Sequence, residues 1–155
     1  MALLACADGV RGFGMFALEM RATGELIGFT GLVVPRLLPE VMTAVEIGWR
    51  LARLRGPRAR HRSAAATLRF GLIDRNLGQI ISIAQVGNGA PERIVGKLGM
   101  RLARESVVPT CDRPVRVYAI TKAQYLAAGP RSNGDRTARR HVSVLAGKVW
   151  VGCVS

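Results

Sequence analysis

Arg50, Arg53, Arg55, Arg58, Arg60 and Arg62 crowd into one segment, Glu46 to Gly71, which reads as a strand, a turn and then a helix. Such a junction suits an anion. The first backbone N–H groups of a helix have no partner within it, and the positive end of its dipole favours phosphate. Arginine adds a planar fork that grips two oxygens at once. The chemistry indicated is recognition of a phosphate-bearing ligand; the competing reading is a solvated basic surface. Cys6, Cys111 and Cys153 show no CxxC or Cys/His ligand spacing, which argues against a zinc site and for free thiols in a reducing compartment.

The elements that must position these groups are legible in outline. Phe16–Met20 and Leu26–Val34, separated by Thr23–Gly24, read as a hairpin that closes at Pro35. Residues 35–43, with two prolines, read as a loop. Ala44–Leu51 alternates as a third strand, with Val45, Ile47 and Trp49 on one face and Glu46, Gly48 and Arg50 on the other. The spacing of Ala65, Leu68 and Leu72 predicts a helix from Ser63 to about residue 76, stopped by Gly78. Gln79–Val86 is a β-rich central strand. Asn88–Gly89 turns the chain into a short helix from Pro91 to Leu98, ended by Gly99. Val115–Thr121 is a further strand, and Val107–Val108 is placed to pair with it.

Composition bounds the answer. The chain has 155 residues, 49% of them hydrophobic and 21% charged, which suits one domain with one core. Its net charge of +13, from 23 basic and 10 acidic residues, favours polyanionic partners: CoA phosphates, nucleic acid or anionic lipid. No apolar run reaches the about 18 residues needed to span a bilayer. The opening residues make no convincing signal peptide, so a cytoplasmic protein is expected. A dedicated RNA module is disfavoured, because the chain has neither an RNP-like aromatic motif nor a KH-type GxxG loop.

TGELIGFTGL, AVEIGWRLA, LRFG and GKLGM, in that order, resemble the acyl-CoA-binding core of the GNAT N-acetyltransferases, and within it the RimJ/RimL-like branch that acetylates ribosomal protein N-termini. The resemblance runs from about residue 16 to residue 126. It implies a mixed α/β fold with a central, mostly antiparallel sheet flanked by helices. Acetyl-CoA would be the cosubstrate and a primary amine the acceptor. In that family two strands splay, here Ala44–Leu51 and Gln79–Val86, and the pantetheine arm enters between them. The resemblance assigns cofactor contacts to Trp49, Arg50 and Leu51 and to a pyrophosphate turn, Arg55-Gly56-Pro57-Arg58-Ala59-Arg60. It also places Asn88 against the pantetheine arm. Glu46 is the expected base, its carboxyl raised by apolar neighbours; a structural Glu paired with a nearby arginine is the other reading. A backbone N–H near Gly48–Arg50 would meet the oxyanion.

The chain departs from the family pattern in ways that bear on activity. Arg58 stands where the turn has glycine, Arg60 replaces a small residue, and Pro57 removes an N–H donor. These changes mean either altered binding through guanidinium groups or loss of the site. Pro91 and Val95 fill the positions that in the family protonate the departing thiolate, and neither can donate a proton. The expected organisation is a non-matching extension over 1–15, a core over 16–128, and a linker with an atypical tail over 129–155. The alternative function is a weak or inactive GNAT-fold protein that binds RNA, ribosome or another polyanion; a homodimer is compatible with either.

Overall fold

The computed structural model describes residues 2–8, 12–20, 23–51 and 56–129. Seven strands form one sheet: β1 (Ala2–Asp8), β2 (Phe13–Glu19), β3 (Leu26–Val33), β4 (Glu46–Leu51), β5 (Gln79–Gln85), β6 (Arg101–Val108) and β7 (Arg113–Thr121). Their spatial order is β1-β2-β3-β4-β5-β7-β6. Every neighbouring pair is antiparallel except β4 and β5, which run parallel. This is the mixed, mostly antiparallel α/β architecture expected from the sequence.

Three α-helices among the described residues accompany the sheet: α1 (Gly56–Arg69), α2 (Gly89–Leu98) and α3 (Lys122–Ala127). A parallel pair cannot be joined by a tight hairpin, so α1 supplies the crossover from β4 to β5. Its Ala64 and Leu68, with Leu72 just beyond its end, pack onto Leu32, Ile47 and Ile80 of the sheet, and Ile94, Val95 and Leu98 of α2 close the same core. Burying each large aliphatic side chain there contributes about 1.5–3 kcal/mol. Between helix and sheet, the buried Thr67 and Thr30 hydroxyls satisfy each other at 3.0 Å. The opposite face of the sheet carries a second cluster, in which Leu38 and Val41, from a 3-10 turn and its approach, cover Ile81, Val115 and Val117.

Several boundaries differ from the sequence reading, each for a local reason. Helix α1 begins at Gly56 rather than Ser63, because Pro57 in the first turn has no N–H to leave unpaired and its fixed φ suits a helix start. Residues 56–60, expected as a turn, are therefore helical. The α1 helix passes at Phe70–Asp74 into a π turn that Asn76 ends with φ 54°. Residues 2–8, expected in an extension outside the core, are hydrogen-bonded to β2 as an edge strand. Helix α3 was not anticipated, although its capping box is written in the sequence: the Thr121 hydroxyl accepts from the Gln124 N–H and the Gln124 side chain accepts from the Thr121 N–H. The expected tail from residue 130 onward lies outside the described residues.

Candidate active site

Strands β4 and β5 start as neighbours and then part. The Ile81 N–H donates to the Val45 carbonyl at 2.9 Å, and Glu46 and Ile81 are the one paired position between the two strands among the described residues. A continuing parallel ladder would carry the Ile83 N–H to the Ile47 carbonyl and the Trp49 N–H to the Ile83 carbonyl. Those rungs are not made. Along β4 the backbone groups alternate in direction, so Ile47, Trp49 and Leu51 present theirs to the gap while Glu46, Gly48 and Arg50 present theirs to β3. Register agrees, since Arg50 lies opposite Phe29 and its carbonyl crowds Gly28.

This geometry sorts the residues expected from the sequence. Trp49 and Leu51 have backbone groups free to pair with an extended ligand in the gap. Arg50 does not; its backbone belongs to the β3 ladder, and its exposed side chain is what it has to offer.

Glu46 sits at the mouth of the gap, partly buried, on the sheet face away from α1. Burial raises its pKa from the ordinary 4.5 to about 7, against a smaller downward pull from the backbone N–H of Ile83. No arginine among the described residues forms an ion pair with it. The folded chain therefore holds this proton in a pH range where the unfolded chain has released it, and stability falls as pH rises from 4.5 to about 7. We expect Glu46→Gln to remove about 2 kcal/mol of the difference in unfolding free energy between about pH 5 and pH 8. Urea unfolding of both proteins at the two pH values checks this. Comparison with the variant cancels His61, whose pKa is lowered by burial and by Lys97 and which works in the opposite direction.

The amino end of α1 brings the remaining charge. Its first turn contains no acidic residue, although carboxylates are what a helix start favours. Arg58 is exposed, while Ala59 and Arg60 are partly buried, Ala59 against Leu18, Ile27 and Leu51. The Arg60 carbonyl accepts from the Ser63 hydroxyl at 3.0 Å. Gly56 and Arg58 have first-turn N–H groups, and Pro57 has none. Arg53 and Arg55 lie outside the described residues. Asn88 occupies the N-cap position of α2, exposed, and its side chain makes no capping hydrogen bond.

One cluster near α2 was not foreseen. Arg116 of β7 bridges Glu92 of α2 at 3.0 Å and Glu105 of β6 at 2.8 Å, and the Tyr118 hydroxyl also reaches Glu92, at 3.3 Å. Burial and the Glu92 carboxylate hold that phenol above its ordinary range, so it stays neutral. The cluster ties α2 to the β6–β7 hairpin. Its parts are far apart in sequence, and no local motif announces it.

A gap between parallel strands beside the amino end of a helix could admit an extended ligand that ends in an anion. The sequence pattern of the acetyltransferase (GNAT) domain matches residues 3–101. The Bacillus subtilis protein YkkB is 30% identical over 108 residues, which make up 69% of this chain and 60% of that protein. The chain thus spans about three-fifths of the length of that relative. Among solved structures, mutant forms of a spermidine/spermine N-acetyltransferase from Vibrio cholerae superpose with a TM-score of 0.61 at 17% identity, covering 75% of this chain and 70% of that one. A ribosomal-protein-S5-alanine acetyltransferase from Vibrio fischeri gives 0.61 at 14% identity, covering 73% and 63%. With the family pattern matched over residues 3–101, most of its length, this chain belongs to the GNAT acetyltransferase family.

Proposed function

We propose that this chain transfers the acetyl group of acetyl-CoA to a primary amine, and that it belongs with the RimJ/RimL-like enzymes, whose acceptors are protein N-termini. The observation that carries the proposal is the ladder that stops after one pair, with a carboxyl group of pKa about 7 at its mouth.

The residues present are compatible with the cofactor. Backbone groups of Ile47, Trp49 and Leu51 would pair with the pantetheine amides, and Asn88 would hold the same arm from α2. The N–H groups of Gly56 and Arg58, with the guanidinium groups of Arg58 and Arg60, would hold the pyrophosphate in place of the missing glycine contacts. When bound, acetyl-CoA supplies the activated acyl group. Glu46, ionised above pH about 7, takes the proton that the attacking amine releases, directly or through one water. The Trp49 N–H, facing the gap, donates to the oxygen on which negative charge develops. As the new C–N bond forms and the C–S bond breaks, the departing thiolate takes its proton from water, since Pro91 and Val95 have none to give.

Calorimetry with acetyl-CoA at low and moderate salt tests the reading. One saturable site per chain at moderate salt is the expected result and leads on to a screen of amines. A folded chain that does not bind would sink the proposal and favour a GNAT scaffold whose arginines serve polyanions. Arg58→Gly with Arg60→Ala sharpens the test. If guanidinium groups hold the phosphates, the double variant binds no more tightly; if they obstruct the turn, it binds more tightly.

A further inference from the structure

The face of β4 that turns away from α1 carries a pattern that the proposed chemistry leaves unused. Strand register sets three rungs of β3 and β4 in a row on it: Val33 with Glu46, Gly31 with Gly48, and Phe29 with Arg50. The middle rung has no side chain. A Cβ at Gly31 would run into the Gly14 carbonyl and the Met15 Cα, whereas a Cβ at Gly48 would meet nothing within 4 Å. Gly48 is thus an open floor, with the Glu46 carboxyl at one end and an exposed ring and guanidinium at the other. Phe29 keeps 44% of its surface exposed. No carboxylate among the described residues forms an ion pair with Arg50.

We infer that the acceptor lies across this bare rung, and that Arg50 selects a protein N-terminus with an acidic side chain at its second or third residue. The inference rests on the acetyltransferase reading, with the acceptor amine at Glu46. Glu46 and Arg50 are four residues apart on one strand, about 13 Å at about 3.3 Å per residue. An extended peptide advances by a similar amount per residue, and the long arginine stem covers the rest of the span. Over Gly48 the peptide meets no side chain. Phe29 gives it an apolar wall, and the Arg50 fork gives a carboxylate two donors. A polycation meets the reverse, because its charges would face a guanidinium on a chain of net charge +13.

The peptides Ala-Glu-Glu-Gly, Ala-Gln-Gln-Gly and Ala-Arg-Arg-Gly, offered with acetyl-CoA, test this. The acidic peptide should exceed the neutral one by about tenfold in kcat/KM, mostly through KM, and the basic one should be poorest. Arg50→Glu should reverse the order of the acidic and basic peptides. Arg101→Glu makes the same change of net charge on β6 and should leave the order as in the wild type, which separates a local contact from the field of the whole chain. Gly48→Val fills the floor and should raise KM for all three peptides by about tenfold, while acetyl-CoA affinity in calorimetry stays within about twofold. Equal rates for the three peptides in the wild type, or an order that Arg50→Glu does not move, overturns the inference. If acetyl-CoA binds but no acetyl group moves, peptide affinities measured in its presence decide by the same order and the same reversal. A chain that binds acetyl-CoA without preferring the acidic peptide refutes this inference alone; one that binds no acetyl-CoA refutes the transferase reading and the acceptor role with it.

Discussion

Replacing Glu46 by Gln is expected to lower kcat/KM for acetyl transfer by about 10²–10³-fold, the range that a positioned general base supplies. The loss should fall on kcat. Glutamine matches glutamate in shape, so the gap and the proposed cofactor contacts of Trp49 and Leu51 should remain. The pH profile carries the sharper signature. With the carboxyl at about 7, wild-type kcat/KM should climb through neutral pH and level off above it, because the base works only when ionised. In Glu46→Gln that limb should vanish, leaving only the titration of the acceptor amine. Steady-state rates across pH for the two proteins would show it. Unchanged kcat in the variant would return Glu46 to a purely structural role.

Gly28→Ala is expected to destabilise the fold by about 3 kcal/mol or more and to weaken cofactor binding with it. Gly28 has φ +142°, in a region L-residues rarely adopt, and a Cβ there would run into the Arg50 carbonyl and come within 2.7 Å of the Leu51 Cα. Both obstacles are backbone, so no side chain can swing aside. The damage would not be confined to stability. The Arg50 carbonyl must lie against β3 for Trp49 and Leu51 to face the gap, and pushing it away disturbs that alternation. Gly48→Ala, three rungs along the same pair of strands, is the control. A Cβ at Gly48 meets nothing within 4 Å, so its stability should stay within about 0.5 kcal/mol of wild type. Urea unfolding of the two variants makes the comparison, and equal losses would refute the steric argument.

The two residues show why both kinds of prediction concentrate on β4. Its outer neighbour β3 approaches so closely that glycine is required, while its inner neighbour β5 stands off. The strand is thus held firmly on one side and left open on the other. Glu46 is the junction, and its raised pKa is the stability cost of a carboxyl placed in largely desolvated surroundings.

Much of this was legible in the residues. The alternation of Val45, Ile47 and Trp49 against Glu46, Gly48 and Arg50 needs only the period of a strand, and the apolar stripe of α1 needs only that of a helix; local patterns determine local elements. The order of elements and the short motifs were enough to bring the family into view. Helix starts were less secure, because Pro57 and two flanking arginines fit a turn as well as the first turn of a helix. Tertiary structure alone decided what chemistry the residues can do. That Trp49 and Leu51 face the gap while Arg50 does not depends on which side β3 occupies. That Glu46 is raised to about 7, with no arginine beside it among the described residues, depends on the apolar surroundings its fold provides. The single pairing of Glu46 with Ile81, and the loss of pairing beyond it, join residues far apart in sequence, and no periodicity along the chain encodes a bond that is missing between two strands.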